Sequence, residues 1–160
     1  MKNLSVIAFL LAQSVVASLF TACKKDHPDS PQPPAGGPDT ASYVVDGATI
    51  TPRTVEGSYS NQSFGVITDD SIAQRSLIIG LVPITATGTF TNATITYTAS
   101  DGGWSCSLGV VGSSRVQVTH FDTATRKASG TFTATLEAFP GTAASGLKTI
   151  SSGTFTNVDF

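Results

Sequence analysis

The sequence predicts an all-β protein, and three observations support that prediction. From residue 41 onwards, β-branched residues alternate with small or polar ones, the period-two pattern of a strand with one buried face. Gly, Asn and Asp recur between these runs, where tight turns need them. The chain has 23 Thr and 19 Ser but only 12% charged residues, about half the share of roughly 25% in ordinary soluble domains. We expect a single antiparallel domain of about eight to ten strands, either a β-sandwich or a closed β-barrel.

The 160 residues divide into three parts. Residues 1–22 resemble a secretory signal peptide, since Lys2 precedes an apolar stretch and small residues stand just before Cys23. Residues 23–40 form a tether whose composition favours extended polyproline II over a packed core. Five of the eight prolines lie there: Pro28, Pro31, Pro33, Pro34 and Pro38. Residues 41–160 are about 120 residues, enough for one domain with its own core.

The charge balance excludes some classes of partner. The formal net charge is −2, and no cluster of Lys and Arg offers the basic surface that nucleic acids require. No second apolar run approaches the roughly 18 residues of a spanning helix. We therefore expect no nucleic-acid partner and no transmembrane helix after the leader.

The first half of the domain predicts a hairpin and two further strands. Residues 43–45 and 48–51 flank Asp46 and Gly47, a pair suited to the positive φ angles of a type I′ turn. Residues 63–68 form the next expected strand. Residues 76–82 follow and are apolar enough to lie centrally in a sheet.

The second half predicts longer strands. Residues 90–99 and 104–108 are expected strands, joined by a turn at residues 101–103. Residues 115–137 alternate most clearly and are divided by a loop at residues 122–127. The first strand of this pair should place Val116, Val118 and His120 on one face, with Gln117, Thr119 and Phe121 on the other. The second should bury Phe132, Ala134 and Leu136 and expose Thr131, Thr133 and Thr135.

A short repeat predicts two local distortions. Gly-Thr-Phe-Thr occurs from residues 88, 130 and 153 at unequal spacing, and Asn92 and Asn157 follow the first and third copies. The alternation changes phase at both asparagines, and Asn tolerates the left-handed conformation that an inserted residue needs. We expect a bulge or bend at each one. The last strand, which runs to Phe160, should be tied into a sheet.

The leader carries a resemblance to a known class of proteins. Leu19-Phe20-Thr21-Ala22-Cys23 resembles the lipobox of bacterial lipoproteins, in which lipid is attached to the cysteine and cleavage occurs before it. Residues 118–127, running into residues 129–132, and the closing residues 153–158 resemble uncharacterised Bacteroidota lipoprotein domains. The similarity covers mainly residues 88–160 and the leader. It implies lipidation at Cys23 and a place at the outer membrane, on either its periplasmic or its outer face, and it implies no established activity.

A second resemblance concerns modification. Three triplets of Asp, then Ser or Thr, then an aliphatic residue resemble sites that Bacteroidota O-glycosylate. They imply Thr40, Ser71 and Thr123 as candidate sites. Thr123 is expected in a hairpin loop and is therefore the most accessible.

The sequence offers little for catalysis or metal binding. His120 is the one histidine of the domain, with Asp122 after it and Ser113 and Ser114 before it. No Gly-x-Ser-x-Gly turn presents a nucleophile, so we expect His120 to close a hairpin, not to serve a triad. One domain histidine and one domain cysteine do not fill a zinc site. The acids Asp69, Asp70 and Asp101 could join a calcium site, although solvated turn acids are the simpler account. We expect no catalytic residue, metal or cofactor.

The aromatic residues leave two alternatives open. Trp104, Tyr97 and Tyr59, with Tyr43, could form a platform that stacks on sugars, or they could pack in the core.

Cys106 has no partner within the chain if Cys23 carries lipid. It is expected to be a buried thiol, because it shares a strand face with Trp104.

These observations lead to one functional expectation and one alternative. We expect a lipid-anchored, non-enzymatic envelope protein that binds a glycan or an envelope protein or serves a structural role at the surface. The alternative is a carbohydrate-binding accessory module, which a row of exposed aromatic residues would favour. A hydrolase would require a serine or an acid within hydrogen-bonding distance of His120.

Overall fold

A computed structural model describes residues 37–106 and 112–160. The expected signal peptide, Cys23 and most of the Pro-rich tether lie outside these residues. The last two residues of the strand expected at 104–108 also lie outside them.

All regular structure in the described residues is antiparallel β-sheet, which confirms the predicted fold class. The strands are β1 (Thr40–Val45), β2 (Ala48–Ile50), β3 (Thr54–Ser60), β4 (Ser63–Asp70), β5 (Arg75–Leu81), β6 (Gly88–Phe90), β7 (Thr94–Ala99), β8 (Gly102–Cys106), β9 (Ser113–Asp122), β10 (Lys127–Ala138) and β11 (Leu147–Asp159). Eleven described strands exceed the eight to ten expected. The sequence pattern did not single out β3, and the strand expected at residues 90–99 is divided between β6 and β7.

The strands form one sheet in the order β2-β1-β11-β10-β8-β7-β5-β4-β3. β10 pairs with β11 along one edge; along the other it pairs with β9 and then, at residues 137–138, with β8. The pair β9 and β6 therefore branches from the main path. The main path of the sheet curls into a half-barrel with β2 and β3 at its two ends, and β3 packs on the end of β11. A Cβ atom on Gly57 would lie 2.3 Å from the carbonyl oxygen of Asp159, so this close approach requires glycine.

The curled sheet encloses one core of alternating inward-facing residues. The largest buried side chains are Trp104, Tyr43, Phe64, Phe155, Leu77, Ile79, Leu81, Ile84, Ile95, Leu136, Ile150 and Val66. The expected alternation in β10 is confirmed for Phe132, Ala134 and Leu136, which are buried, and for Thr131 and Thr133, which are exposed. Thr135 was also expected to be exposed but is half-buried. β5 pairs on both sides, with β4 and β7, as its apolar sequence predicted.

The domain has two distinct ends. At the near end, the chain enters β1 at Thr40, opposite Thr156, and the loop of residues 123–126 connects β9 to β10. At the far end lie the turns at residues 46–47, 71–74 and 100–101. The first of these is the predicted hairpin turn, with φ of 47° at Asp46 and 86° at Gly47, as a type I′ turn requires.

The near end is held by an aromatic cluster and an ion-pair network. The rings of Tyr59, Phe64, Phe121 and Phe160 contact one another with centroid separations of 5.2–5.7 Å. Lys127 Nζ lies 2.8 Å from Asp159 Oδ1 and 3.4 Å from Asp39 Oδ1. Asp39 also accepts the backbone N–H of Asp159 at 3.0 Å. These contacts fasten the segment leading into β1 to β10 and β11.

Both predicted asparagine distortions are present. Asn157 has φ of 55°, and the pairing of β10 with β11 shifts register there: Ala128 faces Val158, whereas Gly130 faces Phe155. Asn92 lies in a bend at which the chain leaves its pairing with β9 and begins to pair with β5. The strand that follows Asn157 is tied into the sheet as expected, since Phe160 is buried and its N–H bonds to the carbonyl oxygen of Arg126 at 3.1 Å.

The predicted faces of β9 are correct as far as Val118 and wrong for His120 and Phe121. Gly130 faces Val118, but Ser129 faces His120, so Thr119 is an extra residue in the pairing with β10. This bulge reverses the alternation. Phe121 consequently packs inward on Phe64. His120 no longer shares the buried face of Val118.

Candidate functional site

A cleft of about 490 Å³ opens at the far end of the half-barrel. Its size lies within the range of roughly 300–1,000 Å³ that is usual for small-molecule sites. Asp46, Arg75, Asp101 and Lys148 supply charged groups, and Tyr97 lines it from within the core. We call this feature the far-end cleft.

The sheet topology brings these residues together from separate strands. The type I′ turn after β1 presents Asp46, and the turn between β7 and β8 presents Asp101. Arg75 is the first residue of β5, and Lys148 is the second residue of β11. The far ends of four strands thus surround one opening.

Lys148 is held in place by three groups. Its Nζ atom lies 3.4 Å from Asp46 Oδ2 and 3.8 Å from Asp101 Oδ2. The same atom lies 4.6 Å from the centroid of the Trp104 ring, a cation–π contact. Asp46 is fixed in turn, because its Oδ1 accepts the backbone N–H of Thr149 at 2.9 Å. With a side chain only 23% exposed, Lys148 closes this side of the cleft.

Tyr97 and Arg75 provide two further polar groups of the cleft. Burial raises the pKa of the Tyr97 phenol; Arg75 opposes that shift, while Asp101 and Asp46 add to it. The phenol therefore remains neutral and protonated at physiological pH. Arg75 is half-buried, and among the residues that the structure describes no carboxylate lies within ion-pair distance of its guanidinium.

The aromatic candidates do not form an exposed platform. Trp104 is 2% exposed and Tyr97 is 4% exposed, while Tyr43 is also buried. Tyr59 is half-buried in the near-end cluster, away from the other three. Of the two alternatives that the sequence left open, core packing is the one observed for Trp104, Tyr97 and Tyr43.

The candidate triad residues are not assembled. The Ser114 hydroxyl donates to the carbonyl oxygen of Ala93 at 2.6 Å. Ser114 lies six positions from His120 on β9, which in an extended strand is about 20 Å. Asp122 instead closes the hairpin loop, where it accepts bonds from the Thr125 hydroxyl and from the N–H groups of Ala124 and Thr125. These bonds, that from the Thr125 hydroxyl foremost, lower the pKa of Asp122.

Asp70 and Asp101, two of the aspartates that were considered as calcium ligands, contact neighbouring groups of the protein. Asp70 accepts the N–H of Ala73 at 3.3 Å and lies 3.7 Å from the Nε of Arg53. Asp101 faces Lys148. Within residues 37–106 and 112–160, no group of three or more His, Cys, Asp or Glu side chains is arranged to hold a metal ion.

The structure places the remaining predicted site residues as follows. Thr40, Ser71 and Thr123 are all exposed, with Thr40 and Thr123 at the near end and Ser71 in the far-end turn between β4 and β5. Cys106 is 3% exposed and forms no disulfide within residues 37–106 and 112–160, as expected of a buried thiol. Cys23 lies outside the described residues.

Arg75 and Lys148 were not among the candidate site residues predicted from the sequence. Each is an isolated cation beside a strand end, and no motif marks it. The only local indication was the Asp-Gly turn, which placed Asp46 at a strand end without showing what it would face.

Comparisons of the chain with protein-family models, with curated proteins and with solved structures found no match. Nor do the described residues include any helix able to span a lipid bilayer.

Proposed function

We propose that this chain is a lipid-anchored protein of the cell envelope whose β domain is a non-enzymatic binding module. The lipobox-like residues 19–23 support attachment through Cys23 to the outer membrane. Two or more acyl chains on one residue give stable anchoring, whereas a single chain gives only marginal binding. The Pro-rich composition of residues 24–40 suits a spacer between membrane and domain.

The observation that most supports this proposal is that the entry of the chain into β1 and the far-end cleft lie at opposite ends of the domain. Asp39 and Thr40 lie at the near end, where Lys127 and Asp159 hold the segment. The far-end cleft lies at the other end of β1. A domain tethered through its near end would hold this cleft away from the bilayer and open to envelope ligands.

The chemistry of the cleft suits binding better than catalysis. Lys148 is paired with Asp46 and Asp101, and Tyr97 stays protonated at neutral pH. General acid–base catalysis favours a group whose pKa lies near the working pH. A few polar groups that converge on a concave cleft are instead a usual feature of ligand-binding sites.

Membrane partitioning of a Cys23→Ser variant tests the anchoring half of this proposal. The native chain should fractionate with membranes. Mass spectrometry should find that the leader has been cleaved, so that Cys23 is the amino-terminal residue, and that this residue carries acyl groups. Cys23→Ser should move it to the soluble fraction, whereas the control Cys106→Ser should remain membrane-bound. An uncut leader without acyl groups would contradict the proposal.

A glycan array tests the binding half and its carbohydrate alternative. The full chain carrying Cys23→Ser would be screened with and without Lys148→Glu, which reverses the charge beside Asp46 and Asp101. Binding that is lost with Lys148→Glu supports use of the far-end cleft. Glycan binding unaffected by that change would favour a carbohydrate-binding module that uses another face of the sheet.

A further inference from the structure

We infer that Arg75 makes the far-end cleft a binding site for a monoanionic carboxylate. This inference rests on the proposed binding function and specifies the ligand class. It depends on the pairing of the cleft's charges, on the phenol beside them and on the apolar part of the lining.

Arg75 differs from the other two described cations at the far end in its ion pairing. Lys148 faces Asp46 and Asp101, and Arg53 faces Asp70. Arg75 lines the same cleft without an ion pair to any described residue. Its planar guanidinium can therefore offer two parallel N–H groups, the arrangement that best fits a carboxylate.

The surroundings of Arg75 fit the rest of such a ligand. Tyr97 lies close enough for its phenol to be influenced by Arg75, and as a neutral phenol it can donate a further hydrogen bond. Ala48, Ala73 and Ala99 add short apolar side chains to the lining, and Val45 and Ile50 reach it from the core, at 5% and 4% exposed. An aliphatic chain or the apolar face of a ring could lie against this part.

The charges that line the cleft favour a ligand with a single negative charge. Arg75 and Lys148 balance Asp46 and Asp101, so the charged lining is neutral overall. A bound carboxylate would bring the site to −1, whereas a doubly charged phosphate would bring it to −2 beside two existing carboxylates. Like charges at close range are unfavourable, and this cost grows with the charge of the ligand.

The same carboxylate chemistry could come from a uronic acid or from a short fatty acid. Two matched pairs of probes separate these sources: galacturonate with its neutral methyl ester, and hexanoate with hexanamide. Inorganic phosphate, titrated at a pH high enough to keep it doubly charged, serves as the dianionic comparison. Each is titrated into ¹⁵N-labelled full-length protein carrying Cys23→Ser, and binding is followed by NMR at the Arg75 side-chain N–H and the backbone amides of Tyr97 and Ala99.

We expect at least one carboxylate to bind about tenfold or more tightly than its neutral partner, since hydrogen bonds to charged groups are the stronger ones. Arg75→Gln should remove that preference. Arg115→Gln should keep it, because Arg115 is an exposed arginine on the outer face of β9. The Trp104 emission of both variants checks that the domain remains folded.

Three results would overturn the inference. Equal binding of the charged and neutral partners at the cleft would refute the carboxylate class while leaving a binding module in place. Tighter binding of phosphate would show that the charge argument is wrong. An absence of shifts at Arg75 with every probe would also refute the inference, and the Cys23→Ser fractionation would still decide the anchoring proposal separately.

Discussion

The backbone N–H of Asn157 donates a hydrogen bond of 2.9 Å to the hydroxyl oxygen of Ser129, across the bulge between β10 and β11. Both residues are buried. The bulge changes the phase of β11, so that Phe155 faces inward before it and Val158 and Phe160 face inward after it. This hydrogen bond lies where the sheet accommodates the extra residue, and beyond it Phe160 reaches the near-end cluster.

Replacing Ser129 by Ala should destabilise the domain by about 1–3 kcal/mol, because it leaves the buried N–H of Asn157 without this acceptor. Urea unfolding followed by the emission of Trp104, the only tryptophan, measures the change. Ser151→Ala is the matched control, since Ser151 is exposed on β11, and it should lie within about 0.5 kcal/mol of the parent. Equal stability of the two variants would show that this hydrogen bond contributes nothing.

Replacing Lys148 by Met should cost about 0.5–1 kcal/mol of unfolding free energy, since Met retains an apolar stem but loses the cation above Trp104. The loss should shrink in high salt, because the Asp46 and Asp101 pairs are partly exposed and salt screens them. Urea unfolding at low and high salt measures both effects. Arg115→Met serves as a control for removing a surface cation. A Lys148→Met variant as stable as this control would argue against the contact.

The stability of the domain should fall as the pH rises above about 10, the ordinary pKa of tyrosine. Burial raises the pKa of Tyr97 in the folded protein, so the unfolded chain loses this proton first. The contribution is complete below pH 10 and is lost as the pH rises through the raised pKa. Urea unfolding between pH 8 and 11 should show a shallower decline for Tyr97→Phe. If the unfolding free energy of Tyr97→Phe declines with pH as steeply as that of the parent, Tyr97 is not the cause of the decline. The buried Tyr43 would then be the next residue to replace.

The pKa of Asp122 should lie below its ordinary value of 3.8, chiefly because the Thr125 hydroxyl donates to the carboxylate. Its contribution to folding is present above that value and is lost as the pH falls through the lowered pKa. NMR titration of the carboxyl carbon reports this pKa directly. Thr125→Val should raise the Asp122 pKa towards normal, whereas Thr123→Val, in the same loop, should leave it unchanged. A pKa equal in the parent and Thr125→Val would contradict the assignment.

Cys106 should react slowly with a thiol reagent in the folded protein, because it is 3% exposed. Labelling would require local or global opening and should accelerate steeply in urea. The experiment uses the full chain with Cys23→Ser, so that Cys106 is the only thiol. Adding Ser151→Cys provides an exposed thiol that reacts at once. Comparable rates at residues 106 and 151 would refute the burial of Cys106.

Local features of the domain could be predicted because they depend on neighbouring residues alone. Asp46 and Gly47 were sufficient to predict a type I′ hairpin, and the phase change at Asn157 was sufficient to predict its bulge. The bulge at Thr119 was not predictable in this way. Val118, His120 and Phe121 fit an unbroken alternation equally well until the pairing with β10 is known.

β3 shows a second reason for a missed element. Its inward positions are Val55, Gly57 and Tyr59, which are only half-buried, and Glu56 lies between the first two. The local pattern was therefore too weak to predict a strand. β3 forms because β4 pairs along its whole length and because Gly57 allows close packing on the end of β11.

The sequence by itself determined the all-β class, the individual turns and the burial of most alternating apolar residues. Only the tertiary structure decided that β10 divides one edge between β9 and β8, and that Arg75, Tyr97 and Lys148 meet at one cleft. The physical reason is the range of the interactions. Alternation and turn conformation follow from adjacent residues, whereas strand partners are selected by the joint burial of side chains that are distant along the chain.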